Sequence, residues 1–174
     1  KPAPQDPLLV VAVGEALWAG LDAVGAPRSL ASVITGSGAD VGAALVEHPD
    51  VRSILFTGST VVGRTIAAAA APAMKQVLLE LGGKGACIVR ADADLDLVAD
   101  HVERTWFVQA GQVCLTPARI LVDGSVHDDL VSVLRARLER SRLGDPHDPS
   151  TTVAPLISEA QRTHVRELIR SAEQ

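Results

Sequence analysis

Two short segments set reactive side chains beside glycine. Leu78-Leu79-Glu80-Leu81-Gly82-Gly83-Lys84 supplies a carboxylate, and Gly111-Gln112-Val113-Cys114 supplies a thiol. A thiolate attacks a carbonyl carbon readily, and a carboxylate can take a proton from water, so the two together have the residue types of covalent catalysis completed by hydrolysis. An unperturbed cysteine, with a pKa of about 8.5, is only slightly ionised at neutral pH, so such chemistry requires surroundings that favour the anion. Each residue also has a plainer alternative. A lone cysteine serves commonly as a buried packing residue, and a lone glutamate at a strand end as a solvated or salt-bridged one. Cys114 follows the turn Ala110-Gly111-Gln112 after a long helical stretch, which presents it at the end of an element. Cys87, inside the apolar run Ala86-Cys87-Ile88-Val89, reads as packing.

Upstream, two further glycine turns could hold an anion. Thr57-Gly58-Ser59-Thr60 leads from a strand into a helix, where free N–H groups and the helix dipole favour negative charge; a simple helix cap fits the same residues. Gly36-Ser37-Gly38-Ala39-Asp40-Val41-Gly42 has three glycines, spaced one residue too long for the GxGxxG dinucleotide fingerprint. The histidines at 48, 101, 127, 147 and 164 have no metal-ligand spacing, and no metal is expected.

The elements that must position these residues follow from hydrophobic period and punctuation. Helices are expected over 7–24, 40–47 with Asp40 as its cap, 59–71, 95–108, 126–142 and 158–173. Strands are expected over 31–35, 52–56, 76–81, 86–90 and 119–122, with a turn-rich surface loop at 144–150. Strand and helix alternate, which predicts an α/β fold built on βαβ crossovers and a mainly parallel sheet. A domain junction falls near Leu81 to Gly83.

Composition narrows the function classes. The chain has 174 residues, 47% of them hydrophobic, but only four aromatics, Trp18, Phe56, Trp106 and Phe107, so its core must be aliphatic. With 16 basic against 21 acidic residues and a net charge of −5, it has no basic stripe for nucleic acid. The apolar run Leu8–Val13 is far shorter than the roughly 20 residues of a membrane span. Two cysteines and no secretory h-region at the start fit a reducing compartment, with the cytoplasm as the default.

In combination, Phe56-Thr57-Gly58-Ser59, Glu80-Leu81-Gly82-Gly83-Lys84 and Phe107-Val108-Gln109-Ala110-Gly111-Gln112-Val113-Cys114 resemble the aldehyde dehydrogenase superfamily across essentially the whole chain. The resemblance implies a Rossmann-like cofactor half-domain over 1–81, followed by the start of an α/β catalytic domain over 82–174. It implies oxidation of an aldehyde to an acid with NAD or NADP. Cys114 would form a thiohemiacetal and then a thioester, and Glu80 would act as the base that hydrolyses it. It also implies cofactor contacts from Lys1, Gly38, Gly42, Gly58, Ser59, Leu81 and Gly82. Gln109 departs from the asparagine usual in the nucleophile segment. Pro4 stands where NAD-favouring members usually carry a glutamate for the ribose hydroxyls, which leaves NADP open. Family enzymes carry further segments on both sides, so the chain is expected to be a central portion, inactive alone and homo-oligomeric when full length. Two alternatives remain: a truncated module that binds nucleotide or a partner without catalysis, and a relative that passes the acyl group to CoA, which the presence of Glu80 disfavours.

Overall fold

A computed structural model of the chain describes every residue from Lys1 to Gln174. It forms two compact units, Lys1–Leu81 and Gly82–Gln174.

The first unit opens with α1 (Pro7–Ala23), whose proline occupies the first turn, where no hydrogen-bonded N–H is needed. The expected strand at 31–35 does not form. Residues 31–35 enter no ladder, and β-branched Val33, Ile34 and Thr35 favour a strand only where a neighbouring strand is there to pair with. They are held against α1 instead, with the Trp18 indole N–H donating to the Ala31 carbonyl at 2.8 Å and Val33 packed on Gly14. A π-helical turn, Gly38–Gly42, then runs into α2 (Ala43–Glu47). Its cap is Ser37 rather than Asp40. The Ser37 hydroxyl accepts the Asp40 N–H at 3.0 Å and donates to the Asp40 carboxylate at 2.6 Å, a reciprocal arrangement that favours the earlier residue as cap.

Strand β1 (Ser53–Gly58), helix α3 (Thr60–Ala70) and strand β2 (Gln76–Leu81) complete the unit as a βαβ motif with a parallel pair in the register Ser53↔Gln76 to Gly58↔Leu81. Helix α3 lies close on β2 because Gly63 has no side chain; a Cβ there would stand 2.8 Å from Leu81. Lys75 donates to the Val46 and His48 carbonyls at 2.6 and 2.7 Å, placing a cation on the open C-terminal carbonyls of α2.

The second unit pairs β3 (Ala86–Val89) with β4 (Arg119–Val122), again parallel, with α4 (Leu95–Phe107) between them in sequence and α5 (His127–Leu138) and α6 (Glu159–Ala172) after. Its buried centre is Val89, Ala99, Val102 and Leu130, aliphatic as the composition requires. Each large side chain so buried contributes about 1.5–3 kcal/mol. Helix α5 stops four residues short of the expected Arg142. Ser141 takes the Leu138 carbonyl with both its N–H and its hydroxyl, and the Arg142 N–H donates to the Thr152 hydroxyl at 2.8 Å, so neither N–H extends the helix. The 144–150 segment is a loop of aspartate turns, with Asp145 and Asp148 accepting from the His147 and Ser150 backbone at 2.8 Å.

Arg137 ties α5 to α4. Its guanidinium pairs with Asp100, with Glu103 at 3.0 Å and with Asp96 at 3.4 Å. Those partners, Glu103 first and Asp100 next, raise its pKa above the usual arginine range, so the contribution is present at every ordinary pH. Removing the cation leaves three carboxylates facing one another. Arg137→Met is therefore expected to lower the melting temperature by several degrees, with strong salt narrowing the gap from the unaltered protein; equal melting curves at low salt would count against the network.

Both sheets cover one face only. Leu55 and Leu78 on the first, and Ile88 and Leu121 on the second, are exposed. No helix is long and apolar enough to cross a membrane.

Candidate active site

The first unit holds a cleft of about 710 Å3. Its walls are Lys1 to Pro4, the π turn and α2 from Gly38 to Glu47, the end of β1 at Phe56 and Thr57, and one face of α3 with Val62, Thr65, Ile66 and Ala69. Such a volume is ordinary for a cofactor or small-ligand site. The lining is mostly apolar, and its only formal charges are Lys1 and Glu47. Lys1 is exposed and donates to the Pro2 carbonyl at 2.7 Å, while Pro2 is buried. Lys1, Gly38 and Gly42 therefore meet around one cavity although up to 41 positions separate them in sequence. At Gly38 and Gly42 no side chain fills the approach to the backbone.

Gly58 and Ser59 adjoin this cleft without lining it. Ser59 caps α3, its hydroxyl accepting the Val62 N–H at 3.4 Å, and the Phe56 ring folds over Gly58. The parallel register sets Glu80 beside Thr57 and Leu81 beside Gly58, so carboxylate and turn share the C-terminal end of the sheet, where α/β proteins bind ligands. Glu80 is exposed and makes no ion pair. Gly82 follows as the first residue of the second unit.

Cys114 belongs to that second unit and is exposed; Cys87, on the half-buried face of β3, is not. The segment before Cys114 is unusual. Gln109, Ala110 and Gly111 have φ of 50°, 53° and 74°, three successive left-handed residues, of which only glycine is at ease there. The two others cost about 1 kcal/mol or more each. This turn ends α4 abruptly and delivers Cys114 outside any regular element.

Sequence reasoning overlooked the apolar wall of the cleft. Val62, Ile66 and Ala69 follow helical spacing, a pattern that signals burial without saying whether protein or ligand does the burying. It also overlooked the left-handed turn, for which Ala110 carries no local signal.

Parallel strands running into glycine turns, with a cleft beside the first pair, are the architecture of α/β proteins with a Rossmann-like domain. The chain belongs to the aldehyde dehydrogenase family, whose model matches residues 1–174. It is 42% identical over 166 residues to 2-hydroxymuconic semialdehyde dehydrogenase of Pseudomonas putida, covering 95% of this chain and 33% of that protein. To human retinaldehyde dehydrogenase 3 it is 38% identical, covering 98% of this chain and 33% of the relative. Among solved structures, a double mutant of betaine aldehyde dehydrogenase from Staphylococcus aureus, in complex with NAD+, superposes with a TM-score of 0.90 at 32% identity, over 99% of this chain and 34% of that one. An NADP-dependent enzyme of E. coli gives 0.74 at 38% identity, over 78% and 28%. The chain thus spans about a third of the length of the relatives it matches.

Proposed function

We propose that this chain is the central portion of an NAD(P)-dependent aldehyde dehydrogenase, with residues 1–81 forming the second half of the cofactor-binding domain and 82–174 the first part of the catalytic domain. The cleft suits a dinucleotide: it has an apolar wall for a base and open backbone at Gly38 and Gly42, and the helix N-terminus at Ser59 adjoins it to receive a phosphate. Lys1, Gly38, Gly42, Gly58, Ser59, Leu81 and Gly82 hold the cofactor, which when bound supplies an acceptor for hydride. The S. aureus relative was crystallised with NAD+ and the E. coli relative is NADP-dependent, so family membership is compatible with either. Pro4 contributes no carboxylate to repel a 2′-phosphate.

Cys114 Sγ adds to the aldehyde carbon, forming a C–S bond and an oxyanion that the Cys114 N–H stabilises. Departure of hydride from that carbon leaves a thioester on Cys114. Glu80 then takes a proton from water, the resulting hydroxide adds to the thioester carbon, and the C–S bond breaks to release the acid and restore the thiol. The observation that carries this reading is the exposed thiol at the end of a left-handed turn, in a chain that the family model matches from end to end. The test is to incubate the intact protein with aldehydes and either NAD or NADP, following nicotinamide reduction and acid formation. Matched amounts of both products are expected. Nucleotide binding with no oxidation of any aldehyde would favour a non-catalytic module instead.

A further inference from the structure

The loop that carries Cys114 is closed at its stem and at its crown by different side chains. At the stem, the Trp106 indole N–H donates to the Pro117 carbonyl at 3.1 Å and the Thr116 hydroxyl to the Thr105 carbonyl at 3.2 Å. At the crown a single side chain acts. The Gln112 amide donates through Nε2 to the Gln109 carbonyl at 2.7 Å, and its Oε1 accepts the Ile157 N–H at 3.4 Å. The Gln109 carbonyl also accepts the Gln112 backbone N–H at 3.1 Å. Both ends of one amide are therefore in use. A carboxylate would lack the donor and an ammonium group the acceptor, so among side chains of this reach only glutamine makes both bonds.

The carbonyl it grips belongs to the first of the three left-handed residues, and Gln109 and Ala110 keep that conformation only while their surroundings impose it. The other face of the turn rests on α4, with Gly111 against the Trp106 carbonyl. We propose that Gln112 is a positioning residue: by clamping the turn 109–111 to the backbone at Ile157 it holds Cys114 in one orientation toward the carbonyl it attacks. This rests on Cys114 being the nucleophile.

The experiment compares the intact protein with Gln112→Ala and with Gln112→Ala combined with Gln109→Gly. The readout is single-turnover nicotinamide reduction with protein in excess of aldehyde, the acyl group being located by peptide mass. Gln112→Ala is expected to slow the single-turnover rate about tenfold at full amplitude, without changing KM for the nucleotide, because the strained turn then samples other conformations. Glycine at 109 is left-handed without assistance, so the double variant should recover most of the rate. A merely structural role would lower the amplitude and leave the rate of the folded fraction alone. An unchanged rate in Gln112→Ala, a loss of amplitude only, or a loss that Gln109→Gly does not repair would each overturn the clamp. Acyl group on Cys114 with an unchanged rate would do so while sparing the nucleophile reading; acyl group on no cysteine would remove that reading as well.

Discussion

Replacing Cys114 with alanine is expected to abolish aldehyde oxidation by the intact protein, lowering kcat by more than about a thousandfold, while nucleotide binding is retained. The reasoning is local. Of the two thiols in this chain, Cys114 is exposed and Cys87 lies on the half-buried face of a strand, where an aldehyde has poorer access. The residues around the cleft, Lys1, Gly38 and Gly42, all belong to the first unit, so truncating a side chain at 114 leaves their arrangement intact. Nicotinamide reduction followed by absorbance, beside nucleotide titration by calorimetry, separates the two effects. Turnover surviving in Cys114→Ala would end the assignment. A parallel loss of nucleotide binding would show that the substitution had damaged more than the nucleophile.

Glu80→Gln should give a different kinetic signature. Its carboxylate is exposed at the C-terminal end of β2 beside Thr57, free of any ion pair that would occupy it, and so available to take a proton from water. Glutamine keeps the size and loses the basicity. In the proposed scheme Glu80 acts only after the thioester has formed, so one equivalent of reduced nicotinamide should appear at close to the normal rate. Steady turnover should then fall by about a hundredfold to ten-thousandfold. Mass spectrometry of the stalled protein should find the acyl group on the Cys114 peptide. Undiminished deacylation would take the base role from Glu80, and acceleration by CoA would point to a thiol acceptor in place of water.

How far these positions could be read from sequence depended on whether the determining contact was local. The helix expected over 95–108 forms over 95–107: its buried Ala99 and Val102 fit a helical stripe, and Asp94, not singled out from the sequence, caps it by accepting the Leu97 N–H at 3.1 Å. The strand at 76–81 came out with its expected bounds, since the apolar residues Val77, Leu78, Leu79 and Leu81 run there into Gly82. The segment 31–35 misled because strand formation depends on a partner elsewhere in the chain, which propensity cannot report. The cap at residue 37 in place of 40 turned on which of two good capping residues came first. At the candidate site, Glu80 and Cys114 stood out by chemical type and glycine neighbours. The cleft wall, the left-handed turn and the Gln112 bridge did not, because each is defined by residues that meet only after folding.

The ladders of both sheets also set an order of assembly. Every backbone bond between β1 and β2 lies at or before Leu81, and the pairing spans only the short α3 crossover. As the chain emerges from a ribosome, the glycine turns and the cleft beside them can therefore be complete while Cys114 is still unsynthesised. The thiol loop closes later, since its stem needs Pro117 and its crown the backbone at Ile157. On that schedule the cleft of the first unit precedes Cys114, and the newly made thiol spends its most exposed interval before Gln112 can reach the Ile157 N–H.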